Sequence, residues 1–140
     1  MSKDDSRHYK YYQPNEKDHK DKYGDCTIRA LSKVFNISWL DAFDMVTPIC
    51  REYQVSGIFD VPIKERAEML SELGFTYTGI SNKRGSKRPT VESFSKEHKT
   101  GTYIVNVANH VVAVVDGLFY DTWDSGRCCL YGYFELKRED

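Results

Sequence analysis

The stretch Asn109-His110-Val111-Val112-Ala113-Val114-Val115-Asp116-Gly117-Leu118-Phe119-Tyr120-Asp121-Thr122-Trp123-Asp124 decides how this chain is read. Two apolar runs flank Asp116-Gly117, and a two-residue turn of that composition joins antiparallel strands because both central positions need positive φ. With that turn in place, Val115 faces Leu118, Val112 faces Asp121 and His110 faces Trp123. Side chains alternate along a strand, so His110 and Asp121 share a face as diagonal neighbours within reach of each other. Asp124 falls on the opposite face. An imidazole at the head of an otherwise apolar strand, beside a carboxylate, is a candidate for proton transfer rather than packing.

Outward from this hairpin, further strands are expected at 103–107 and 129–136, and a short one at 75–80. Thr90 precedes a short helix carrying Val91 and Phe94. Upstream the periodicity is helical. Asp25 is expected to cap a helix whose inward residues are Ile28, Leu31 and Phe35, ended by Asn36. Ser38 caps a second helix, with Leu40, Phe43 and Val46 inward and Pro48 near its end. A third runs from about Pro62 to Leu73 and stops at Gly74. Helices first and an antiparallel sheet afterwards is an α+β plan. Residues 1–23 are a polar leader, read as irregular and draped over the domain by Tyr9, Tyr11 and Tyr12; residues 24–140 are expected to form one domain.

The same pattern supplies a nucleophile. Cys26 follows the presumed cap, where free backbone N–H groups and the helix dipole favour thiolate over thiol. As an isolated residue it reads more readily as a small buried hydrophobe. Beside His110 and Asp121 it completes a set in which Cys26 attacks, His110 carries the proton and Asp121 orients the imidazole. The Cys26 backbone N–H is placed to donate to an oxyanion.

Composition narrows the rest. The chain has 140 residues, 40% hydrophobic and 29% charged, which suits one globular domain with a real core. A net charge of -1 argues against a general nucleic-acid or membrane-surface binder. The first 25 residues hold no apolar signal-peptide core, and no apolar run reaches membrane-spanning length. A cytoplasmic location is therefore expected, with Cys26, Cys50, Cys128 and Cys129 reduced. His8 and His19 sit near aspartates without metal-ligand spacing, so neither metal nor cofactor is implied. The basic loop from Lys83 to Arg88 reads as solvated, His98 suits a helix C-terminus, and Trp39 and Phe43 read as core.

The segments Gly24-Asp25-Cys26-Thr27-Ile28-Arg29-Ala30-Leu31, Asn109 to Gly117 and Tyr120 to Asp124 together resemble small papain-like cysteine peptidases of phages and bacteria. The resemblance covers most of the chain after about residue 11. It implies a papain-like fold, with the cysteine helix packed on a sheet bearing histidine and its partner, and a protein or peptide substrate cleaved at a peptide or isopeptide amide, in a host cytoplasm if phage-encoded. The chain departs from the papain pattern by lacking Cys-Gly-Ser-Cys-Trp. Lys20 also stands where such enzymes often place a glutamine, six residues before the cysteine. Asn15, or else Gln13, is expected to supply the missing oxyanion donor. An alternative use of the same frame is a module of weak or no turnover that binds a host or partner protein.

Overall fold

In the computed structural model the described residues are 8–15, 25–55, 58, 61–81 and 87–137. They form β1 (Tyr9–Tyr11), α1 (Cys26–Phe35), α2 (Trp39–Glu52), α3 (Ile63–Glu72), β2 (Phe75–Gly79), α4 (Val91–Glu97), β3 (Thr102–Val107), β4 (His110–Val115), β5 (Leu118–Asp121) and β6 (Gly132–Leu136). The class is α+β. The strands make one six-stranded sheet in the order β1-β5-β4-β3-β6-β2. Every pairing is antiparallel except the outermost, where β1 runs parallel to β5.

Helix ends follow local chemistry. Asn36 closes α1 in the left-handed region, and its N–H returns to the Lys33 and Ser32 carbonyls. The Ser38 side chain accepts from the Asp41 N–H at the head of α2. Thr90 and Ser93 cap α4 reciprocally. Past α3, Gly74 takes a φ of 107 and turns the chain into β2.

Burial differs from expectation on α2. Ala42 and Val46 are its buried residues, whereas Leu40 is 68% and Phe43 40% exposed. Leu40 and Phe43 fall outside the stripe once packing on α1 sets the helix's rotation. Phe43 instead stacks on Trp39 with ring centroids 5.4 Å apart, and Trp39 alone of that pair packs against the core.

The core has two parts. Ile28, Leu31, Val46, Leu70, Phe75, Ile104, Ala113 and Phe134 gather where α1, α2 and α3 meet the sheet. Val91, Phe94, Tyr103, Val105, Val112, Val114, Phe119 and Leu130 form the other, around α4. Alternate residues of β3 and β4 enter different clusters, which explains the unbroken apolar run 111–115: this strand is buried on both faces. Among the described residues no helix is long and apolar enough to cross a membrane.

The hairpin register is the expected one, with Val115 opposite Leu118 and Ala113 opposite Tyr120. Asp116 and Gly117 have φ of 50 and 82, the geometry that matches the twist of the flanking strands. A Cβ on Gly117 would lie 3.3 Å from Lys99 Cα and 3.4 Å from the Ser95 carbonyl oxygen. Gly117→Ala is therefore expected to cost about 1–2 kcal/mol. A lowered urea midpoint checks this, and an unchanged midpoint would contradict it.

The leader contributes a strand where an irregular segment was expected. Tyr9, Lys10 and Tyr11 pair with Phe119, Tyr120 and Asp121. Tyr9 packs on Phe119, and the His8 ring meets the Gly117 carbonyl at 2.8 Å. Three residues carry too little periodicity to read as a strand; the open edge of β5 makes them one. Lys20, His19 and the loop 82–86 lie outside the described residues. Of the rest of the basic loop, Lys87 is exposed and the Arg88 guanidinium lies over the Tyr131 ring at 4.9 Å.

Candidate active site

Asn109, with a φ of 54, turns the chain back from β3, and His110 opens β4 at once. Eleven residues on, Asp121 closes β5. The hairpin register brings His110 Nε2 to 2.7 Å from Asp121 Oδ2. Cys26 opens α1 and lies against the same strand end, where its sulfur is hydrogen-bonded by the His110 ring and by the Val111 N–H. With Nε2 engaged by Asp121, the ring nitrogen facing Cys26 is Nδ1. The structure thus brings together the three residues picked out from sequence.

The electrostatics favour an ion pair. Burial alone pushes the Cys26 thiol up, but it is outweighed. The hydrogen bond and positive charge of His110, the Val111 N–H and the nearby Arg29 charge together hold the thiol below its ordinary value. Burial likewise pulls His110 down, yet its bonds to Asp121 and Cys26 and their negative charges push it up to about 9. Both shifts act in the same direction, toward thiolate and imidazolium. Cys128 moves the other way: burial, Asp121 and Cys129 all raise it.

Asp121 is more embedded than a cleft residue. It is 3% exposed; Oδ2 also accepts from the Ser125 hydroxyl at 2.7 Å, and Oδ1 accepts from the Thr122 N–H at 2.8 Å. Arg29 Nη2 stands 3.6 Å from Oδ1. Trp123 lies over His110 with ring centroids 5.3 Å apart, an apolar cover beside the His110–Asp121 bond.

Asp25 occupies the N-cap position of α1, but its side chain does not cap. Its carboxylate is ion-paired to Arg29 one turn along and accepts from Trp39 Nε1 at 2.9 Å. A cap requires the carboxylate to fold back onto the helix's own N–H groups, and the guanidinium holds it elsewhere. The Asp25 side chain thus leaves the N–H groups of the first turn, beside Cys26, uncapped. Charges alternate along the buried line Asp25, Arg29, Asp121, His110, Cys26.

No family model, curated protein or solved structure matches this chain. The site is therefore interpreted from its own geometry. A cleft of about 210 Å³ opens at Cys26 and His110, walled by Ala67 and Leu70 of α3, Asn106 of β3, Tyr131 and Phe134. Gln13 and Asn15 are not among its lining residues; the Gln13 side-chain oxygen accepts from the Asn15 N–H at 3.0 Å.

Sequence reasoning missed Arg29 and Ser125. Arg29 had a usable signal, since Asp25 and Arg29 stand four apart on one helix. Ser125 had none, because the turn after β5 has no period from which to infer a contact.

Proposed function

We propose that this chain is a thiol hydrolase of papain-like type that cleaves a peptide or isopeptide amide. The observation that carries the proposal is the line Cys26–His110–Asp121, with the imidazole between the sulfur and a carboxylate 2.7 Å from its far nitrogen. A cysteine helix laid on a sheet bearing histidine and its acid partner supports the papain-like reading of the α+β fold.

The chemistry follows from the residues. The Cys26 thiolate adds to the carbonyl carbon, and the carbonyl electron pair moves onto oxygen. The Cys26 N–H, at the start of α1, donates to that oxyanion. Collapse breaks the C–N bond while His110 Nδ1–H protonates the departing amine, leaving a thioester on Cys26. Water then loses a proton to His110 and attacks the thioester. The acid departs, and the thiolate–imidazolium pair is restored. Asp121 keeps Nε2 engaged throughout, so Nδ1 stays aimed at the sulfur.

A second reading uses the frame to bind a protein partner without turnover. It is favoured by one observation: neither of the expected oxyanion donors, Gln13 and Asn15, lines the cleft.

A peptide-like thiol electrophile, added at one equivalent near pH 7, tests the proposal. Mass spectrometry is expected to find Cys26 modified well before Cys50, Cys128 or Cys129, and the preference should vanish in urea. Labelling spread over the four thiols in the folded protein would remove the nucleophile from the proposal. Release of amines from a peptide mixture by the wild type, absent with Cys26→Ala, separates turnover from binding.

A further inference from the structure

The segment before α1 touches both halves of the site. β1 lies parallel to β5 with Tyr11 opposite Asp121. The Asp121 carbonyl accepts from the Tyr12 N–H at 2.8 Å and from the Tyr9 hydroxyl at 3.3 Å. Tyr12 then reaches α1. Ser32 Oγ donates its single proton to the Ile37 carbonyl at 2.6 Å, so in its 2.7 Å contact with the Tyr12 hydroxyl the tyrosine is the donor. Lys33 Nζ sits 5.5 Å from the Tyr12 ring centroid and 4.0 Å from that of Tyr120, and the two rings meet edge to face. Tyr12 is therefore bonded both to the strand that carries Asp121 and to the helix that carries Cys26.

A thiolate–imidazolium pair needs α1 held against β4 and β5 to within about 0.5 Å. Ile28 and Leu31 seat the helix on the core, but apolar burial is non-directional and does little to resist sliding along the sheet. Directional links between α1 and β5 are fewer. One is Arg29 to Asp121. A second is the Lys33 ammonium over the Tyr120 ring, and another runs through Tyr12 by way of Ser32.

We propose that Tyr12 is a positioning residue that fixes the Cys26 helix against β5 and so sets the Cys26–His110 distance. The proposal rests on the reading of Cys26, His110 and Asp121 as one site. Among the described residues, the charged groups facing Cys26 are His110 from β4, Arg29 from its own helix and, across the cleft, Arg66 from α3; Asp121 acts through His110 and Asp25 through Arg29. Tyr12 belongs to none of these, so it acts through placement alone. Tyr12→Phe keeps the ring over Lys33 and loses the hydroxyl donor. Ser32→Ala removes the same bond from the helix side.

The test is the rate of Cys26 alkylation by iodoacetamide against pH in the full-length wild type, Tyr12→Ala, Tyr12→Phe and Ser32→Ala, with urea midpoints alongside. Tyr12→Ala is expected to move the acid limb of the profile up by about one pH unit, roughly tenfold slower at a pH on that limb. The two milder variants should move it less, in the same direction. A wild-type profile in Tyr12→Ala with a lowered midpoint would make Tyr12 merely structural and overturn the proposal. Should Tyr12→Ala fail to fold, Tyr12→Phe and Ser32→Ala decide, and profiles that superimpose on wild type overturn it. Failure of the underlying site reading looks different: wild-type Cys26 would itself titrate as an ordinary thiol.

Discussion

His110→Ala is expected to slow alkylation of Cys26 at pH 6 by at least about a hundredfold. The reason lies in the balance at the sulfur. Burial raises the thiol, and His110 supplies the largest opposing contributions through its hydrogen bond and its charge. Without the imidazolium, the Val111 N–H and Arg29 are left against burial, and the thiol returns to the protonated form at neutral pH. The wild-type profile should be flat through neutrality, because His110 keeps its proton up to about pH 9. Above that the thiolate loses its partner and the rate should climb. The variant should instead show a single rise at alkaline pH. Asp121→Asn should move the profile the same way by a smaller amount, about tenfold, since it weakens the support of the imidazole and leaves the imidazole in place. Identical profiles for wild type and His110→Ala would mean that the two side chains do not communicate, and binding without turnover would become the better reading of the site.

Arg29→Met is expected to cost about 3–5 kcal/mol of stability. Arg29 is itself buried, and it stands between two buried carboxylates, Asp25 and Asp121. Removing the cation leaves both anions in a low-dielectric interior with only neutral donors and His110 to balance them. Methionine fills much of the arginine stem's volume, so the loss reports charge more than cavity. Asp25→Asn in the Arg29→Met background should recover part of it, because one uncompensated charge is gone. The measurement is the urea midpoint of the single and double variants. A loss below about 1 kcal/mol in Arg29→Met would show that the line of alternating charges is not what holds α1 to the end of β5. The substitution should also slow Cys26 alkylation modestly, since Arg29 is among the charges that favour the thiolate.

What the sequence determined by itself was mostly local. Asp116-Gly117 imposes a turn that few other dipeptides accept, and once it is set, counting in twos brings His110 to Asp121. Ile28 and Leu31 at helical spacing, with Asn36 to stop it, place Cys26 at a helix start. Thr90 and Ser38 cap their helices through bonds spanning three residues. Each of these depends on neighbours close in the chain, where composition is strong evidence. Tertiary structure decided the rest, because the partners are distant or compete. Asp25 was a competent cap until the guanidinium of Arg29 and the indole of Trp39 took its carboxylate. Leu40 and Phe43 were apolar on a helix, and only the rotation imposed by packing on α1 turned them outward. Tyr9 to Tyr11 became a strand because β5 offered an unpaired edge more than a hundred residues away. No local pattern encodes such a pairing.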